Sequence, residues 1–122
     1  MKKFNATGRC PIRDVLSRLG NKWSMLVMVS LYANGTMRFN DVQRSIGDIS
    51  QRMLAVTLRG LEDFGLVARE VFPEVPPRVE YSLTERGRSL MPHLQALVEW
   101  AGENMDGIMD NIAKTVDRKS VV

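Results

Sequence analysis

The chain has 122 residues, 44% of them apolar and 25% charged, ordinary fractions for one soluble globular domain whose core needs no staples. One cysteine and one histidine, His93, exclude an internal disulfide and a Cys/His metal cluster within one chain. No apolar run reaches membrane-spanning length and no signal-peptide core follows Met1, so the expected compartment is the cytoplasm, and a net charge of +3 leaves nucleic-acid binding to be argued from clustered residues.

Lys2, Lys3 and Arg9 form a basic arm ahead of the first helix. Pro11 suits a first helical position, and Ile12, Val15, Leu16 and Leu19 give that helix an apolar stripe ended by Gly20. A second helix is predicted from about Trp23 to Ala33; its few polar positions make it the central buried helix, and Asn34-Gly35 closes it. Met37-Arg38-Phe39 fits either a short strand or an extended link. Asn40 is placed to cap a short helix from Asp41 to Ile46, with Val42 and Ile46 inward.

Gly47-Asp48-Ile49 then turns into a helix predicted at about 50–64. Ser50 is its N-cap, and Gly65 stands where helices end in a left-handed residue. Met53, Leu54, Leu58, Leu61 and Phe64 recur at helical spacing. With Leu54, Leu58 and Leu61 inward, the helix turns Arg52, Ala55, Val56, Arg59 and Asp63 outward, with Gln51 at its start. Such a face can hydrogen-bond base edges and touch thymine methyls in a major groove. Two helices joined by a glycine turn, the second bearing Gln and Arg, have helix-turn-helix organisation.

The period changes at Leu66. Leu66–Phe72 is rich in β-formers, Arg78–Leu83 alternates, and Pro73-Glu74-Val75-Pro76-Pro77 between them makes a stiff tip. A hairpin at about 66–83 directly after a helix-turn-helix is a wing. Arg78, behind two prolines, loses little freedom on docking and is assigned to the DNA backbone or minor groove. Lys22 serves equally as a phosphate contact or a solvated lysine. Thr84, Glu85 and Gly87 open a last helical segment at about 84–116, which Gly102 and Gly107 divide into two helices, with the tail frayed beyond. Its stripe, including Leu94, Leu97, Ala101, Met105 and Ile108, exceeds what a compact winged domain can bury. A symmetric dimer is expected, joined by that stripe and by Ile12 and Leu16 of the first helix.

The bland readings are retained where they fit better. Trp23, Trp100 and the methionines, Met53 among them, read as core or interface filling, and His93 as an interface or half-buried residue. No nucleophile–base pair, phosphate-cradling loop or placed carboxylate pair indicates an enzyme, and no cofactor or metal is expected. The fold class is mainly α with a small β-wing (α+β), a single domain over 1–122, and the function is DNA-binding transcription regulation. The rival classes are a winged-helix protein–protein interaction module and an RNA-binding winged helix.

Cys10-Pro11, Gly20-Asn21-Lys22-Trp23, Arg38-Phe39-Asn40-Asp41, Ile49–Leu54, Leu58–Glu62 and Pro73–Thr84 occur in that order, and together they resemble the HxlR-type, MarR-like regulators of bacteria. The resemblance spans about Cys10 to Trp100. It implies a dimeric winged helix-turn-helix on operator DNA, repressing or activating a nearby gene. Arg52, Ala55 and Val56 depart from the lysine and polar residues common there, so a relative's operator does not carry over.

Cys10 has two readings. It precedes Pro11 at the positive end of the first helix, beside Arg9 and one turn from Arg13, all of which favour the thiolate. In some family members the matching cysteine senses electrophiles or oxidants, which implies a small electrophile or other effector as a partner. The other reading is a small packing residue.

Overall fold

The structure, a computed structural model, describes residues 11–121. Cys10, Arg9 and the basic arm lie outside them. In chain order the elements are α1 (Pro11–Leu19), α2 (Lys22–Asn34), β1 (Met37–Arg38), α3 (Phe39–Ile46), α4 (Gln51–Asp63), β2 (Val67–Phe72), β3 (Arg78–Leu83) and α5 (Glu85–Val121). The strands form one antiparallel sheet in the order β1-β3-β2.

Each boundary has a local cause. Asn21 Oδ1 accepts from the Trp23 N–H at 2.8 Å and starts α2. Ser50 Oγ accepts from the Met53 N–H at 3.1 Å and starts α4. Gly65, at φ 78°, follows α4 in the left-handed region and lets the chain turn into β2. Thr84 Oγ1 accepts from the Gly87 N–H at 3.0 Å and donates to the Gly65 carbonyl at 2.6 Å, so one hydroxyl starts α5 and ties it to the end of α4.

The third helix begins two residues earlier than expected. Asn40 lies inside α3, and the N-cap position is Arg38, whose backbone N–H donates to Asp41 Oδ2 at 3.4 Å. A carboxylate reaching back from the third helical residue satisfies the end from within, with no Asn cap required.

Met91 closes the first compact unit and Pro92 opens the second. The core of the first is built from Val27, Met28 and Leu31 of α2, Val42 of α3, Leu54, Leu58 and Leu61 of α4, and Leu66, Val67 and Leu83 at the base of the hairpin. Removing any of the α4 leucines to alanine would cost about 2–5 kcal/mol. The second helix is only half the buried rod its composition suggested. Leu26, Val29 and Tyr32 are exposed, because the core occupies one side of α2 and nothing among the described residues covers the other. Met53, read as core or interface filling, is not part of this core: it is exposed, since it stands about a quarter-turn off the stripe of Leu54, Leu58 and Leu61.

The C-terminal segment is one helix, not two, and it runs on to Val121. Gly102 and Gly107 each cost about 1 kcal/mol against alanine, which Ala101, Glu103, Met105 and Met109 around them outweigh by propensity. Pro92 inside α5 lacks the N–H that would bond back one turn. In the second unit Leu97, Val98, Trp100, Met105, Met109, Ile112 and Val116 are all exposed. Leu94 differs from the rest of its expected stripe: it is buried within the chain. His93 is exposed.

No helix among the described residues is long and apolar enough to cross a membrane.

Candidate nucleic-acid interface

α3 and α4 are held at a set angle by polar contacts around the turn between them. Gln43 Nε2 donates to the Ile49 carbonyl at 3.1 Å, bracing the loop that leads to Ser50, and Gly47 takes φ 100°. Ser30 of α2 donates to Ser45 Oγ of α3 at 2.8 Å, so α3 is pinned to the helix beneath it. These contacts fix α4 from behind, together with buried Leu54, Thr57, Leu58 and Leu61.

The opposite side of α4 is open. Gln51, Arg52, Ala55, Val56 and Arg59 are all exposed, as the helical spacing predicted, and Arg52 forms no ion pair among the described residues. The face therefore offers an amide, two guanidinium groups and two apolar patches on a rigid helix, a set that suits major-groove base edges. Lys22 lies at the first turn of α2 with Nζ 4.5 Å from the Trp23 ring centroid, a cation–π contact that leaves the ammonium exposed.

Past α4 the hairpin adds a group that helical periodicity did not reveal. Glu62 of α4 pairs with Arg69 Nε of β2 at 3.5 Å. Arg69 stands opposite Tyr81 of β3, and Arg59 is close enough to act on the same hydroxyl. Burial pushes the Tyr81 hydroxyl above its usual pKa; Arg69 pulls it back, Glu62 raises it and Arg59 lowers it. The Tyr81 hydroxyl therefore keeps its proton. The only sequence signal for this group is the alternation of β3, which needs the register Arg69↔Tyr81 before it can be read.

Arg78 stands at the wing tip but is not loose. Its guanidinium stacks 4.0 Å from the Phe72 ring centroid, Nη2 lies 3.2 Å from Glu74 Oε1, and Nε lies 3.5 Å from Glu80 Oε2. The Nε contact is within ion-pair range yet lacks hydrogen-bond geometry, and that nitrogen is buried without a hydrogen-bond partner. Phe72, Glu74 and Glu80 orient the arginine. The register Phe72↔Arg78 and the two-residue period of β3 bring these groups together.

No group of acidic, His or Cys side chains among the described residues is arranged to hold a metal ion.

A glycine turn between α3 and α4, an open polar face on α4 and a hairpin directly after it define a winged helix-turn-helix protein. A family model described as HxlR-like helix-turn-helix matches residues 18–109. An HTH-type transcriptional regulator of Methanothermobacter thermautotrophicus is 52% identical over 91 residues, which is 75% of this chain and 69% of that protein. The solved structure of ytfH from Salmonella typhimurium is 37% identical, covers 90% of this chain and 98% of its own, and superposes with a TM-score of 0.77. The redox regulator HypR in its reduced form is 42% identical over 82% of this chain and 98% of its own, with a TM-score of 0.75. The chain belongs to the HxlR-like helix-turn-helix family and is a helix-turn-helix transcriptional regulator.

Proposed function

We propose that the protein works in the cytoplasm as a homodimeric repressor on a pseudo-palindromic operator, with the two α4 helices in successive major grooves. Gln51, Arg52, Ala55, Val56 and Arg59 face base edges, and Arg78 and Lys22 meet phosphates. The observation that carries this is the open face of α4, polar and cationic on a helix whose other side is locked in the core. The exposed row Leu97, Met105 and Ile108 on α5, with half-buried Ala101 among them, supports the dimer, as do exposed Ile12 and Leu16 on α1. Leu94, buried within the chain, is not available to that contact surface.

Cys10 is the proposed sensor thiol. The likeness to HypR, a redox regulator, supports that reading, and one cysteine per chain limits oxidation to a mixed adduct or a disulfide between subunits. A mobility-shift series against salt on duplex DNA tests the main reading. Phosphate contacts make affinity fall steeply with salt, whereas a protein-binding module would retain no duplex at any salt concentration. The same assay after diamide treatment, on wild type and Cys10→Ser, tests the thiol. Loss of retention confined to wild type is the expected result; equal behaviour of the two would leave Cys10 a packing residue.

A further inference from the structure

α1, the start of α2 and one flank of α4 border a cavity of about 350 Å³ that opens to solvent. Its size falls within the range of small-molecule sites. Three hydroxyls line it, those of Ser17, Ser24 and Thr57, with the Asn21 side chain beside them. Ser24 and Thr57 are 5% and 6% exposed, yet neither hydroxyl has a hydrogen-bond partner among the described residues and neither is sealed from solvent. The third buried hydroxyl, on Ser30, is by contrast satisfied by Ser45 and Met37. Solvent in the cavity satisfies the Ser24 and Thr57 hydroxyls, and an occupant that displaces it must supply hydrogen bonds in its place.

We propose that this cavity binds a small, neutral, hydroxyl-rich molecule about the size of a monosaccharide. The lining decides the class. No lysine or arginine lines the cavity among the described residues, and Asp14 at its edge repels anions. Asp14 already has a partner in the chain, so charge balance does not demand a cation. The hydroxyls and the Asn21 amide supply donors and acceptors at several points, which a purely apolar ligand would leave unmet. Phe64 offers an apolar wall for the C–H face of a polyol ring.

Val56 and Met53 belong to the same lining and to the exposed flank of α4. An occupant that packs on Val56 takes contact area from DNA, so the ligand weakens operator binding. By linkage, operator DNA weakens ligand binding by the same factor. This effect rests on the operator reading above; occupancy of the cavity does not.

Titration of the full ¹⁵N-labelled chain with D-glucose, D-galactose and myo-inositol, followed by amide shifts, tests occupancy without DNA. Phenol and inorganic phosphate serve as contrasting probes. At least one polyol is expected to shift the Ser24 and Thr57 amides saturably. Thr57→Val and Ser24→Ala should each weaken it about fivefold, with the melting temperature unchanged. If Thr57→Val does not fold, Ser24→Ala carries the comparison. No saturable shift from any polyol, shifts from phenol or phosphate alone, or unweakened binding by the variants overturns the site. A polyol that binds and leaves operator retention unchanged overturns the coupling and keeps the site. Failure to retain any duplex overturns the operator reading, and the titration still decides the cavity.

Discussion

Gly87 in the first turn of α5 meets the backbone of Leu66 so closely that a Cβ on Gly87 would stand 2.2 Å from the Leu66 carbonyl oxygen. The same carbonyl accepts from the Thr84 N–H at 3.0 Å, so the hairpin's base, its exit and the start of α5 converge on one peptide group. Gly87→Ala must push the helix start away from that group. The expected cost is about 1–3 kcal/mol, as for other overpacked sites. Thr84→Val, which loses the cap, should cost about 1 kcal/mol. Thermal melts check both, and a Gly87→Ala protein that melts with the wild type would contradict the close packing.

Arg52 and Arg59 face outward from a helix whose seat is independent of them. Replacing either by alanine should leave the fold intact and weaken operator binding by about 1–3 kcal/mol if it reads a guanine. The check is quantitative mobility shift on the operator and on scrambled duplex. Normal operator affinity in the double variant would remove α4 from the recognition role.

Arg78 is held by Phe72, Glu74 and Glu80 before any DNA arrives. Arg78→Ala should weaken binding to all duplexes evenly and lower the salt slope by about 1. Glu74→Gln removes a competitor for the guanidinium and should strengthen binding by less than about 1 kcal/mol, the scale of an exposed ion pair. A sequence-selective loss in Arg78→Ala would instead mark base reading at the wing.

Leu97 and Ile108 are exposed on α5, 49% and 36% respectively. In the proposed dimer an aspartate at either position buries an unpaired charge, costing several kcal/mol of association. Light scattering at micromolar concentration should find monomers for Leu97→Asp and Ile108→Asp with helix content retained. A folded variant that stays dimeric would put the interface elsewhere.

Much of this protein follows from local sequence alone. Leu54, Leu58 and Leu61 repeat with the helical period, Ser50 caps and Gly65 stops, so the orientation of α4 and the identity of its open face needed no tertiary information. The hairpin was equally legible, since alternation in Arg78–Leu83 and the proline tip are local properties. Departures came where two signals competed at short range. Asp41 displaced Asn40 as the group satisfying the start of α3, and strong helix formers carried α5 through Gly102 and Gly107. Only the tertiary structure decided which apolar residues are covered. Composition made α2 a buried rod and Leu94 part of an open stripe, yet Leu26 and Val29 are exposed and Leu94 is buried. Burial depends on what packs against a face, and periodicity reports only that the face exists. The same reason hid the Phe72–Arg78–Glu80 clamp, the Glu62–Arg69–Tyr81 group and the cavity holding Ser24 and Thr57. Each joins residues distant in the chain, through register or helix packing that no single segment encodes.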